Sequence, residues 1–279
     1  MKQIFLRLWR TPSARVAMIV LGLYLIAAIA APVLAPRDPF RMHDGAALQS
    51  PSSEYWLGTD RFGRDQLSRL LYGSRMSLQV GLIAVGVALL CGTAIGVLAG
   101  YFKGAVDAVL SRLMDILFAF PELLLALAVM AVLGAGTNNL MLAIGIVYTP
   151  IFARIARGAV LEVNSREHVE AARSMGAGHG QILFRHILPN IAAPLIVQAT
   201  LSFAFAVLAE AALSFLGLGV EPDAPSWGIM LKEGKDWMLQ AWWVAVFPGL
   251  AITLAVLNFN LLGDALRDAL DPKLHRENA

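Results

Sequence analysis

Six apolar runs, each about as long as a bilayer is thick, divide this chain of 279 residues. They cover residues 16–35, 77–100, 113–134, 138–157, 191–216 and 241–263. A hydrocarbon core of about 30 Å is crossed by roughly 20 apolar residues in a helix, so each run is long enough to span it. Alternating segments of the kind that build membrane barrels are absent from the sequence. The sequence therefore predicts an all-α integral membrane protein with six transmembrane helices.

The composition agrees with a polytopic membrane protein. Hydrophobic residues make up 58% of the chain, above the share in soluble domains, and charged residues make up 15%, below it. The net charge of only +2 gives no indication of a nucleic-acid partner. Cys91 is the single cysteine, which excludes an intrachain disulfide and a zinc site built from cysteines.

Basic residues predict the orientation of the chain in the membrane. Lys2, Arg7, Arg10 and Arg15 precede the first run without any acidic residue, which favours a cytoplasmic N-terminus. Six spans then return the C-terminus to the cytoplasm. The basic start and Ala28-Ile29-Ala30 also resemble a signal peptide, but the apolar run has the length of a spanning helix.

Two regions are predicted along the chain. Residues 1–75 hold an N-terminal tail, the first transmembrane helix and an outside loop, and residues 76–279 hold a five-helix core. In the loop, Leu67, Leu70 and Leu71 form an apolar face beside arginines. This pattern predicts a short interfacial helix whose arginines reach toward lipid headgroups.

A long polar loop, residues 158–190, separates the fourth and fifth runs, and loops of this length in compact proteins are usually functional. It contains Glu170-Ala171-Ala172-Arg173-Ser174-Met175-Gly176 and closes with Leu188-Pro189-Asn190. It resembles the cytoplasmic EAA loop of binding-protein-dependent ABC importer permeases, E-A-A-x3-G-x9-I-x-L-P, with His186 where the pattern has Ile.

The resemblance implies that short helices of this loop dock into a cleft on an ATPase subunit. Gly176 is expected to permit the sharp turn that ends the docking helix. The residues implied in ATPase coupling are Glu167, Glu170, Ala171, Ala172, Arg173, Ser174, Met175, Gly176 and Ala177.

Further segments resemble the OppC/DppC (peptide/nickel) branch of these permeases, in order along nearly the whole chain. They are residues 57–65, 107–122, 209–219, 225–228 and 260–268. The resemblance implies the type I importer permease fold in a bacterial cytoplasmic (inner) membrane. It also implies a second, OppB/DppB-like permease subunit, two ABC ATPase subunits and an extracytoplasmic substrate-binding protein. ATP and Mg would be bound by the ATPases, and this chain would bind no cofactor and no metal.

Three residues are candidates for the transport pathway or its gate. Glu210 lies within the fifth run, where a charged side chain costs about 2.5–3.5 kcal/mol, so it either contacts a charged substrate or is paired or protonated against a neighbouring helix. Trp227 either faces the outer gate and the binding protein or belongs to an interfacial aromatic belt. Asn258 either lines the pathway or makes packing hydrogen bonds.

Catalytic motifs are missing from the sequence: there is no G-x-x-x-x-G-K-[ST], H-E-x-x-H or G-x-S-x-G. We therefore expect a non-catalytic permease that translocates di- or oligopeptides. Nickel and glutathione are alternative cargoes within the same branch. An autonomous ion-coupled carrier is the alternative from a different class, and an intramembrane enzyme is disfavoured because catalytic groups are missing.

Overall fold

A computed structural model describes residues 8–9, 11–221 and 224–270 of the chain. Its helices in these ranges are α1 Pro12–Leu34, α2 Gln66–Phe102, α3 Gly104–Phe118, α4 Glu122–Leu133, α5 Thr137–Asn164, α6 Glu167–Ser174, α7 His179–Leu216, α8 Trp227–Lys235 and α9 Trp243–Leu270. The β structure of the described residues is one isolated bridge between Thr59 and Asp65. The predicted all-α fold is confirmed. Lys2, Arg7, Arg10 and residues 271–279, which bear on the predicted cytoplasmic termini, lie outside the described residues.

Five helices are long and apolar enough to cross a membrane: α1, α2, α5, α7 and α9. The sixth predicted span, residues 113–134, is divided between α3 and α4, which meet at an angle of 96°. Pro121 stands immediately before α4 and has no N–H to continue α3. Helix α3 instead ends with the Ala119 N–H, which donates to the carbonyls of Asp115 and Ile116. Counted as one bent span, α3 and α4 complete the predicted six.

The start of α2 differs from the predicted interfacial helix. Residues 66–75 are the first turns of a continuous helix of 37 residues, so the predicted boundary between residues 75 and 76 falls inside α2. Arg69 is fully buried and contacts Asp60 and Glu233 instead of reaching toward headgroups. Asp65 begins the helix, because its carboxylate accepts the N–H of Ser68 at 2.8 Å.

The closest helix packing joins α2 to α5. Gly92, Gly96 and Gly100 recur every fourth residue on α2 and lie against the α5 backbone. A Cβ on Gly96 would collide with the carbonyl of Ala153, and one on Gly100 would come within 3.0 Å of Val160. Small residues at this spacing let two membrane helices approach closely. The glycine stripe therefore packs within this chain.

The helix ends gather at two opposite ends of the bundle. The coupling end holds residues 165–178, and there Tyr101 at the end of α2 lies 2.7 Å from Nδ1 of His179 at the start of α7. The distal end holds the start of α2 and of α9, and there the indole N–H of Trp243 donates to the carbonyl of Thr59 at 3.1 Å. The alternation of helix direction that six spans require is present in this arrangement.

Four charged side chains form a buried cluster at the distal end. Arg64 donates to Asp60 at 2.5 Å and to Glu233 at 2.9 Å, and Arg69 donates to Glu233 at 3.0 Å. Two cations and two anions leave no net charge, which offsets part of the cost of removing them from water. The cluster joins the loop before α2 to α8.

The Gln66 side chain donates a hydrogen bond to a backbone carbonyl that lacks its usual helical donor because of a proline. Pro248 lies inside α9 and cannot donate to the carbonyl of Val244, four residues earlier. The side-chain amide of Gln66 donates to that carbonyl at 3.0 Å, and the bond is buried. The first turn of α2 is therefore tied to the proline-containing turn of α9.

We predict that Gln66→Leu lowers the free energy of unfolding by about 1–3 kcal/mol, because the Val244 carbonyl stays buried without this donor. The measurement is denaturant unfolding of the purified protein in detergent. Pro248→Ala is the matched background, since it restores an N–H that α9 itself can offer to Val244. An equal loss from Gln66→Leu in both backgrounds would contradict the assignment.

Candidate coupling surface and buried polar sites

Helix α6 presents most of the predicted coupling residues to solvent. Val169 and Ala172 are its buried positions and point into the protein. The exposed members of the predicted set are Glu167, Glu170, Ala171, Arg173, Ser174, Met175 and Gly176, while Ala177 is half-buried. Met175, a large apolar residue, is 81% exposed among them. We call these exposed residues the coupling surface.

Gly176 ends α6 with a Schellman motif. The Gly176 N–H donates to the Arg173 carbonyl at 3.0 Å, and the Ala177 N–H donates to the Ala172 carbonyl at 3.1 Å. Gly176 has φ +86°, in the left-handed region that side chains disfavour. The chain therefore turns sharply after Met175, at the position where the sequence predicts a turn.

Polar contacts fix α6 to the end of α5. Arg173 donates to the side-chain carbonyl of Asn164 at 2.9 Å, and Asn164 is buried. On its other side α6 packs near a π-helical segment at the start of α7, Ile182–Ile187, whose two end residues are buried. Helix α6 is therefore in contact with both α5 and the start of α7.

Glu210 is fully buried between α2, α7 and α8. Its carboxylate accepts the Ser77 hydroxyl at 2.9 Å and the Ser214 hydroxyl at 2.9 Å, and the Ser226 side chain also hydrogen-bonds to it. Ser226 in turn begins α8 by accepting the Ile229 N–H. In this conformation the carboxylate is enclosed by one serine of its own helix, Ser214, and by two serines of neighbouring elements, Ser77 and Ser226.

Trp227 and Asn258 are also enclosed. The Trp227 indole donates to the carbonyl of Leu70 at 3.1 Å and meets the Tyr24 ring edge-on at 5.4 Å between centroids. Asn258 donates to the Leu254 carbonyl of its own helix at 2.7 Å. Both side chains lie in the helix bundle, and Trp227 is 0% exposed.

Comparison with known families fits this helical arrangement. The family described as "Binding-protein-dependent transport system inner membrane component" matches residues 92–276. The chain belongs to this family. The family described as "N-terminal TM domain of oligopeptide transport permease C" matches residues 1–51. The protein is thus a multi-pass transport permease.

Curated relatives carry the names of peptide permeases. A dipeptide transport system permease protein DppC from Alkalihalophilus pseudofirmus is 46% identical over 98% of this chain and 90% of its own length. A di/tripeptide transport system permease protein DppC from Pseudomonas aeruginosa is 48% identical over 90% of this chain and 85% of its own length. A glutathione transport system permease protein GsiD from Pectobacterium atrosepticum is 46% identical over 95% and 90%.

Solved structures share the fold. A chain of the inward-facing MetNI methionine ABC transporter matches with a TM-score of 0.59 and 20% identity, covering 73% of this chain and 97% of that one. A chain of an amino acid ABC transporter matches with a TM-score of 0.56 and 17% identity over 73% and 95%. The ABC importer permease fold predicted from the sequence is therefore confirmed.

The permease has an apolar groove of about 880 Å³ between α2, α7 and α9. Its wall includes Phe203 and Phe259, whose rings lie 4.3 Å apart, and Phe184, which is 74% exposed. Phe184 was not among the predicted site residues, although a phenylalanine inside a polar loop is a signal that could have found it. Glu210, Trp227 and Asn258 are not among the residues that line this groove.

We predict that Gly176→Asp abolishes uptake while membrane insertion stays intact. Aspartate at positive φ is strained, and its negative charge is repelled by the negative C-terminal end of the α6 dipole. Gly178→Asp is the matched control, since Gly178 has φ −70° and open space and precedes α7, where aspartate is a favourable cap. The measurement is uptake by cells with equal amounts of each variant in the membrane. Normal uptake by Gly176→Asp would contradict the coupling role.

We predict that Glu210→Leu lowers the free energy of unfolding by about 1–3 kcal/mol, because the buried Ser77 and Ser214 hydroxyls lose their acceptor. Adding Ser77→Ala and Ser214→Ala removes two of the three donors that lose their acceptor, Ser226 being left in place as the first residue before α8, so the triple variant should regain part of this loss. Thermal unfolding of the purified variants measures both effects. A triple variant less stable than Glu210→Leu alone would contradict the hydrogen-bond account.

Proposed function

We propose that this permease is one of two membrane-spanning subunits of an ATP-driven ABC importer for di- and oligopeptides. The observation that carries the proposal is α6, an exposed and firmly capped helix between two spans of a chain from the binding-protein-dependent permease family. Relatives that are 46–48% identical and are named for dipeptide or di/tripeptide transport support the cargo class.

The proposed complex divides the work among several chains. A second, OppB/DppB-like permease subunit completes the pathway, two ATPase subunits bind ATP and Mg, and an extracytoplasmic binding protein delivers the peptide. This chain carries out no catalysis. Both of its termini and its coupling surface face the cytoplasm of a bacterium, and its helices lie in the inner membrane.

The proposed mechanism is alternating access driven through α6. Closure of the ATPases on ATP moves the docked α6, with Glu167 and Glu170 on its exposed side. Because Arg173 bonds Asn164 and the Val169 and Ala172 side chains are buried, α6 transmits this movement to α5 and α7. Opening toward the outside then follows by rigid-body rearrangement of the spans.

We further propose that Glu210, Trp227 and Asn258 belong to the gate. The Glu210 carboxylate holds α7 to α2 and to the start of α8, and the Trp227 indole holds α8 to α2. Movement of α2 relative to α7 would have to break or shift these bonds. Asn258 lies on α9. The Ala251 carbonyl of the same helix accepts the hydroxyl of Tyr24 on α1, so α1 would move together with α9.

Glutathione is the second candidate cargo, since a relative that is 46% identical is named a glutathione permease. The discriminating test is reconstitution of the complex from native membranes into liposomes, with radiolabelled alanyl-alanine as the probe. Unlabelled glutathione and nickel chloride are added as competitors in separate assays. Uptake of alanyl-alanine that neither glutathione nor nickel inhibits would support the peptide assignment, and absence of alanyl-alanine uptake by an active complex would refute it.

We predict that uptake of alanyl-alanine requires ATP inside the liposome and is lost when the ATPases are omitted. The physical reason is that this chain has no P-loop of its own to bind nucleotide phosphates. Uptake by the permease without ATPases, driven by an ion gradient, would instead establish the autonomous carrier.

A further inference from the structure

Helix α3 carries a polar stripe on one face. Asp107, Ser111 and Asp115 recur every fourth residue, a spacing that aligns side chains along a helix. The opposite side of α3 is apolar and exposed: Val106, Val109, Leu113 and Ile116. Asp107 and Ser111 are half-buried and face the protein, whereas Asp115, one turn nearer the bend, is exposed.

Two arginines of α5 meet this stripe. The Arg157 guanidinium donates to both oxygens of Asp107, at 2.5 and 2.7 Å, which is the bidentate geometry of the strongest ion pairs. The Ser111 hydroxyl donates to the same carboxylate at 3.0 Å. Nearer the bend, Arg154 donates to Asp115 at 3.0 Å. We call these two ion pairs the α3–α5 latch.

Packing alone attaches α3 only weakly. No side chain of α3 is buried, although its residues are all within the described range. The helix begins at Lys103 and Gly104, which both have φ +55°, and ends at the 96° bend into α4. The latch therefore supplies the specific contacts that hold this bent segment against the bundle.

The same part of α5 leads to the coupling surface. Arg157 lies seven residues before the end of α5 at Asn164, a rise of about 10 Å at 1.5 Å per residue. Asn164 accepts the Arg173 side chain of α6. A continuous path of contacts thus runs from α6 through the end of α5 and the latch into α3.

We infer that the α3–α5 latch makes the bent α3–α4 segment move together with the coupling helix. Asp107, Asp115, Arg154 and Arg157 are positioning residues, and they act on the pathway through α3 and α4. The inference rests on the proposed function, since it assigns to these four side chains a share of the coupling between ATP hydrolysis and transport. Without the latch, α6 and α5 respond to the ATPases while α3 and α4 stay behind.

The test compares peptide uptake with ATP hydrolysis in the same liposomes, using the complete complex and radiolabelled alanyl-alanine. Asp107→Asn and Arg157→Gln should each lower the uptake per ATP hydrolysed by about tenfold, a usual size for a coupling effect. The combined charge swap Asp107→Arg with Arg157→Asp should recover most of the loss, because the ion pair re-forms with its ends exchanged.

Arg112→Gln is the matched control. Arg112 is exposed on α3 and takes no part in the latch, so Arg112→Gln removes the same charge as Arg157→Gln, from the helix that carries Asp107, and should leave the ratio unchanged. A merely structural role for Asp107 would lower the amount of folded complex and leave uptake per ATP unchanged. That result, or a charge swap no better than the single variants, would overturn the inference.

The unaltered complex separates this inference from the proposed function. Failure of the unaltered chain to retain ATPases, or to take up peptide with ATP, would refute the proposed function. Normal coupling in the unaltered complex and in Asp107→Asn would refute the latch alone.

Discussion

The close approach of α2 and α5 is the contact on which the rest of the structure depends. Gly92, Gly96 and Gly100 bring the two backbones together where any side chain would collide with α5. Water does not drive helices together inside a bilayer, so this fit of small residues supplies much of the attraction. One partner, α2, carries the distal attachments, and the other, α5, carries α6, the helix that we propose to dock on the ATPase. The glycine stripe therefore joins the two ends of the permease mechanically.

Several buried polar groups in this bundle tie helices together through hydrogen bonds and ion pairs. The Asp60–Arg64–Arg69–Glu233 cluster joins α2 to α8. Glu210 joins α7 to α2, and Gln66 joins α2 to α9 at the turn opened by a proline. A polar group without a partner is costly in hydrocarbon, so each such bond also fixes which helices are neighbours. Specificity of packing thus comes from few residues.

Part of this arrangement could be predicted from the sequence, because an apolar run of spanning length in a membrane has to be helical. The positions of α1, α5, α7 and α9 follow from that constraint. The helix at Glu167 and the turn at Gly176 were also predicted, since both depend on local residues. The bend before Pro121 was not, because hydropathy is continuous across it.

Long-range partners explain the remaining differences. Arg69 was expected at the membrane surface because Glu233, its counter-ion, is 164 residues away in the sequence. The choice between pathway and packing for Glu210 stayed open for the same reason, since Ser77 is 133 residues away. The sequence around a charged residue in an apolar run is the same whether its partner is water, cargo or a distant helix. Only the tertiary structure identifies the partner.

The length of α2 has a consequence for how the permease sits in its membrane. With 37 residues it measures about 55 Å, against about 30 Å for the hydrocarbon core. The helix is thus about 25 Å longer than the hydrocarbon core, and a long apolar helix usually adapts to such a mismatch by tilting. Because the first turns of α2 are bonded to α8 and α9, α2 cannot tilt independently of those two helices. The first turns of α2 and the charge cluster therefore keep one position relative to α8 and α9. A change in bilayer thickness must therefore be met by α2, α8 and α9 together.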